Sequence, residues 1–172
     1  MAKSGADPRG DILRAAIQCY LSKGIAGTGM KEVAAQAGVA RSTLYRYFPS
    51  RDGVLVAAVK MEMEAANVRI SKRLAVHTQP ADLLVEGLIL AIKDIPQQPL
   101  LNVVFTSDED AQARRTIWGS DIIVSFGEEL MANVVRPALD AKLLRTEVAP
   151  EVLVEWVYRV LLSFLTLPSN AI

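Results

Sequence analysis

Apolar residues return at helical intervals through almost the whole chain. Asp7-Pro8 reads as a helix start, and Ile12, Leu13, Ala16, Ile17, Tyr20 and Leu21 follow three and four apart until Gly24 stops the run. A short helix over 30–37 puts Val33, Ala34 and Ala37 on one side, and Gly38 ends it before a third helix over 40–48. Ser50, after Pro49, is placed to cap a long helix reaching to about residue 75. Pro80 opens a helix to 95, Pro96 and Pro99 bracket a connector, and a short helix is predicted over 100–106. Ser107 with Asp108, Glu109 and Asp110 makes a capped, acid-rich first turn for the next element, as the helix dipole favours. Gly119 and Pro137 interrupt the stretch 108–145, and Pro150 starts a last helix to 167. No segment alternates strictly between turn signals, so the predicted fold class is all-α.

The last helix carries one narrow polar stripe, Glu151, Glu155, Arg159 and Ser163 at intervals of four. The rest of its circumference is apolar, which requires burial on two sides. One side can be the chain's own body, and the other is most simply a second subunit, with Val157, Leu161, Phe164 and Leu165 as the candidate interface.

Composition narrows the function classes. The 172 residues are 51% apolar and 22% charged, with a mean hydropathy of +0.25. No uninterrupted apolar run approaches the ~18 residues of a membrane helix, and the best candidate, 156–167, is broken by Arg159. A membrane protein and a disordered chain are both excluded, and the surplus of apolar residues points to an oligomer face or an apolar cavity. A lone cysteine, Cys19, excludes a disulfide framework and a cysteine-ligated zinc cluster, and no cofactor or metal is expected. The polar opening residues read as no secretory signal, and the expected location is the cytoplasm. The net charge of zero hides an asymmetry: residues 1–53 hold eight Lys/Arg against four acids, so the remainder is correspondingly acidic. One end of the molecule is built to meet a polyanion.

The chemistry-bearing segment is 29–52, GMKEVAAQAGVARSTLYRYFPSRD. Two short helices joined by Ala37-Gly38-Val39-Ala40 form a helix-turn-helix, in which Gly38 supplies turn geometry that a side chain resists. Val33, Ala34, Val39 and Leu44 are spaced for the core. Arg41, Ser42, Thr43, Tyr45, Arg46 and Tyr47 are left over, and polar, basic and aromatic groups on one short helix suit a DNA groove and its phosphates. With Ile12-Leu13, Ala15-Ala16, the Gly24 stop, Thr43-Leu44-Tyr45, Tyr47-Phe48, Ser50, Arg51 and Leu55, residues 9–55 closely resemble the TetR family of bacterial transcriptional regulators. The remainder is similar only in architecture.

That resemblance implies an N-terminal three-helix DNA-binding domain over 1–53 and a helical-bundle ligand-binding and dimerisation domain over 54–172. It makes Lys31, Arg41, Ser42, Thr43, Tyr45 and Arg46 candidates for base-edge and groove contacts, and Thr28, Tyr47 and Arg51 candidates for phosphate. It also implies a homodimer on double-stranded DNA, a ligand enclosed by the body, and a further helix where this chain ends. Two positions depart from the pattern: Gly29 stands where a Thr or Ser cap is usual, and Ala40 where the recognition helix usually starts from Ser. Glu32 can still supply half of a capping box by reaching back to the Gly29 N–H.

Met61, Met63, Leu101, Val104, Phe105, Trp118, Ile122, Phe126 and Trp156 are the candidate pocket, and their scarcity of polar groups favours an apolar effector. Each has a plain core reading beside it. His77, the lone histidine, reads as an exposed loop residue, Cys19 as core, and the acids 108–110 as a helix first turn. Without a nucleophile–base set, a zinc motif or a phosphate loop, no enzyme is expected. The expected function is a dimeric, ligand-released repressor on a palindromic operator. An architectural DNA-binding dimer without effector and a carrier of hydrophobic small molecules are the alternatives; selective footprinting excludes the carrier, and ligand-driven release excludes the architectural dimer.

Overall fold

In a computed structural model of the chain, the described residues are 7–106, 111–122, 125, 128–129, 133, 135–143 and 147–167. The expected acid-rich turn at 107–110 and the candidate Phe126 lie outside them. Among the described residues there is helix and no strand, in agreement with the all-α expectation.

Helix α1 (Pro8–Lys23) begins with Pro in its first turn and ends at Gly24, whose φ of 76° a side chain would resist. Helix α2 (Met30–Ala37) starts at Gly29, where the Gly29 N–H donates to Glu32 Oε2 at 3.1 Å, the half capping box that the sequence predicts. It closes on Gly38 in the left-handed region, φ 66° and ψ 29°. The Gly38 N–H donates to the Ala35 carbonyl and the Val39 N–H to the Ala34 carbonyl, which satisfies two otherwise orphaned acceptors and turns the chain sharply. Helix α3 (Arg41–Tyr47) starts from Ala40, with no side-chain cap. Helix α4 (Arg51–Leu74) is capped by Ser50, whose Oγ accepts the Gly53 N–H at 3.0 Å.

The body comprises α5 (Pro80–Asp94), a tight turn at Ile95–Gln97, α6 (Pro99–Thr106), α7 (Ala111–Trp118), α8 (Arg136–Asp140) and α9 (Pro150–Thr166). Helix α4 joins everything. Its first half buries Val54, Leu55, Ala58 and Val59, its second half buries Ala66 and Ile70, and it packs on α1, α5, α6 and α7. One continuous apolar cluster therefore runs from Ile12 in α1 to Leu165 in α9. The expected domain boundary at 53/54 falls inside α4, with no linker there.

Of the two sides of α9 predicted to be buried, the one that meets the chain's own core is buried here. Val157, Leu161 and Leu165 are turned into the chain's own core, so three of the four expected interface residues are not on the outer face. The reason is register: these three, with Leu162, form the stripe at three- and four-residue spacing that meets α5 and α6. The outer face carries Val152, Trp156 and the fourth expected residue, Phe164, all more than half exposed, beside a Glu155–Arg159 ion pair.

Candidate nucleic-acid interface and body cavity

Leu44 fixes the orientation of α3. It is fully buried against the first two helices, and burying a leucine side chain is worth roughly 1.5–3 kcal/mol. With Leu44 inward, Arg41, Ser42, Tyr45 and Arg46 stand outward, while Thr43 and Tyr47 are half-buried. Tyr45 is 47% exposed, a large apolar ring facing solvent with no core role. The Arg46 guanidinium lies 5.4 Å from the centre of the Tyr47 ring, so one cation and one aromatic face are held together at the helix end. Lys31 is exposed on the first turn of α2.

Two expected phosphate ligands are used otherwise. Thr28 is 1% exposed, and its hydroxyl donates to the Gly24 carbonyl at 2.8 Å. Arg51 donates from Nε to the Thr28 carbonyl at 2.8 Å and from a terminal nitrogen to the Ile25 carbonyl. The α1–α2 loop thus bonds to itself through Thr28 and is clamped to the start of α4 through Arg51. A basic residue at the start of a helix looks the same in sequence whether it faces DNA or a loop carbonyl. Only the folded path of residues 24–29 decides. Arg9, not expected at the site, lies 5.1 Å from the centre of the Phe48 ring, next to the end of α3. Its signal in the sequence was the excess of basic residues before 53.

Glu32, which tethers the start of α2, has its carboxyl held below the usual range by backbone N–H donation, from Glu32 itself and from Gly29. Burial pushes the Cys19 thiol up, and its Sγ sits 3.8 Å from the Glu32 carbonyl oxygen, which suits the expected core role.

The body holds a cavity of about 270 Å³ between α4, α5 and α9. Leu74, Leu83, Leu84, Leu88, Val157 and Leu161 make its apolar walls, while Asn67, Ser71, Glu129 and Asn133 are its polar edge. None of the eight expected pocket residues that are described lines it. Leu101, Val104 and Phe105 are packed solid in the core, Met61 is half-buried against that core, and Trp118 and Trp156 lie on the surface. Met63 and Ile122 line a second, smaller cavity of about 120 Å³ with Lys60, Glu64, Asn67, Ser125 and Glu129. Large and aromatic side chains did not mark the larger cavity, because a side chain that packs well fills space. The cavity opens where α5 offers Gly87 and leucines at a crossing it does not fill.

Comparison with known proteins agrees with this geometry. Residues 12–58 match the family described as bacterial regulatory proteins, tetR family. An uncharacterized HTH-type transcriptional regulator of Mycobacterium tuberculosis is 28% identical over 159 residues, covering 92% of this chain and 75% of that protein. Among solved structures, the fatty acid degradation regulator FadR of Bacillus halodurans superposes with a TM-score of 0.69 at 18% identity, over 94% of this chain and 83% of that one. Thermus thermophilus FadR, a repressor in complex with lauroyl-CoA, gives 0.63 at 18% identity, over 95% and 98%.

Proposed function

For a chain that belongs through its helix-turn-helix segment to the TetR family of transcriptional regulators, we propose the action of a repressor that binds an inverted-repeat operator as a homodimer and releases it when a small, largely apolar ligand enters the body cavity. Residues 1–53 form the DNA-binding part and 54–172 the ligand and dimer part. Arg41, Ser42, Thr43, Tyr45 and Arg46 address the groove from α3, with Lys31 from α2. Tyr47 and Arg9 serve the phosphates. Thr28 and Arg51 position the loop behind them. The protein is a binding protein rather than an enzyme and works in the cytoplasm, where its DNA is.

One observation carries the reading. Helix α4 is unbroken from Arg51, which grips the loop leading into α2, to Ile70, Ser71 and Leu74, which line the cavity. A ligand between α4 and α5 therefore bears on the element that sets the attitude of the reading helix. A ligand can shift such an equilibrium only by its difference in affinity for the two states, commonly about 1–3 kcal/mol or roughly 5–150-fold in DNA affinity. The lauroyl-CoA of the Thermus regulator shows that a protein of this fold holds a long apolar chain, and the leucine walls of this cavity favour an apolar body.

The outer face of α9 supplies the second subunit's contact. Two reading helices then reach successive major grooves only about 34–36 Å apart, or a multiple of it, which dictates an inverted repeat. Operator selection from random DNA with purified protein, followed by release assays with hydrophobic extracts, tests this. A recovered inverted repeat released by a ligand is the expected result. Recovery of no preferred sequence overturns the repressor reading, and operator binding that no ligand alters favours the architectural dimer.

A further inference from the structure

The two body cavities share two residues, Asn67 and Glu129. Asn67 Nδ2 donates to Glu129 Oε2 at 2.6 Å, so a hydrogen-bonded amide–carboxylate pair borders both. Asn67 belongs to α4. Glu129 is the one charged group at the edge of the larger cavity among the described residues, since the other polar groups there are Asn67, Ser71 and Asn133. Lys60 borders the smaller cavity and not the larger.

We infer that Glu129 is the head-group anchor of the cavity, and that the effector is an amphiphile with a protonated amine on an apolar tail. This rests on the ligand-released reading above and specifies its ligand. Glu129 is exposed at the rim of the leucine walls, and its carboxylate accepts from the neutral amide of Asn67. The Asn67 bond is charged on the acceptor side alone; an alkylammonium brings a charged donor to the same carboxylate and so competes with Asn67 for it. The tail then lies along Leu83, Leu84 and Leu88. Loss of the Asn67 bond cuts a tie between α4 and the 128–129 segment, which frees α4 to move as the repressor reading requires. A carboxylate or phosphate head is repelled by the same Glu129. The volume, just below the usual 300–1,000 Å³ of ligand sites, suits a tail of modest length.

A matched octyl series tests the head group by calorimetric titration of the full chain without DNA. Octylamine should bind severalfold tighter than octanol, and octanoate and octanoyl-CoA more weakly than either. Glu129→Gln should remove the advantage of octylamine and leave octanol nearly unchanged, so that retained octanol binding certifies an intact cavity. Asn67→Ala, which removes the internal competitor, should tighten octylamine severalfold. Octanoate or octanoyl-CoA matching octylamine overturns the inference. So does octylamine binding that is indifferent to Glu129→Gln or not tightened by Asn67→Ala. Operator release is read separately: Glu129-dependent octylamine binding without any operator binding sinks the repressor reading and sustains the head-group assignment.

Discussion

At single positions, exposure separates what reads DNA from what holds the reader in place. Arg41→Ala and Tyr45→Ala should each weaken operator binding, by roughly 1–3 kcal/mol for a base-edge contact, while thermal melting stays near that of the parent. Unchanged footprints for both would remove α3 from the groove. Gly38 is the complementary case. A Cβ there meets open space, so the cost of substitution comes from the left-handed backbone alone. Gly38→Ala should lower stability by about 1 kcal/mol, and Gly38→Asn by less, because Asn tolerates that conformation; denaturant midpoints decide. Gly38, Leu44 and the outward set on α3 were legible in the sequence, since local spacing fixes them. The roles of Thr28 and Arg51 were not, because a hydroxyl or guanidinium near a turn finds its acceptor only when the distant loop backbone arrives.

Helices carry a different lesson. The periodicity of α9 announced burial on two sides, yet could not say which stripe met the chain's own core, since both stripes are apolar. The structure resolves this with Val157 inside at 2% exposure and its neighbour Trp156 outside at 61%. The two positions should therefore respond in opposite ways to the same substitution. Trp156→Asp should leave a folded, helical chain that sediments as a monomer and binds operator poorly. Val157→Asp buries an unpaired charge and should lose several kcal/mol, appearing as aggregation or unfolding rather than clean dissociation. A folded Val157→Asp monomer, or a Trp156→Asp dimer of parental affinity, would show the faces reversed. The start of α4 at the Ser50 cap and its reach to about residue 75 were likewise predicted, because caps and hydrophobic spacing are local. The cavity beside α4 was not, since a void is defined by what three helices together fail to fill.

Across the whole molecule, the Arg51 clamp links the cavity-bearing half of α4 to the loop that opens α2. Arg51→Met keeps an unbranched apolar stem but leaves the Ile25 and Thr28 carbonyls without their cationic donor. Such bonds contribute about 1.5–3 kcal/mol. Operator affinity should fall further than that of an exposed lysine replaced in the same module, such as Lys31→Met, and should respond less to ligand; a variant still fully releasable would show that the clamp carries no coupling. The continuity of the apolar cluster through α4 has one more consequence, for a protease. Where two domains are joined by a linker, brief digestion nicks the linker and liberates both. In this chain the junction lies in the first turn of α4, beside the buried Val54, Leu55 and Ala58, so cleavage there must await opening of that turn. Trypsin should therefore attack exposed basic sites elsewhere first, and no long-lived fragment corresponding to residues 1–53 should accumulate on the gel.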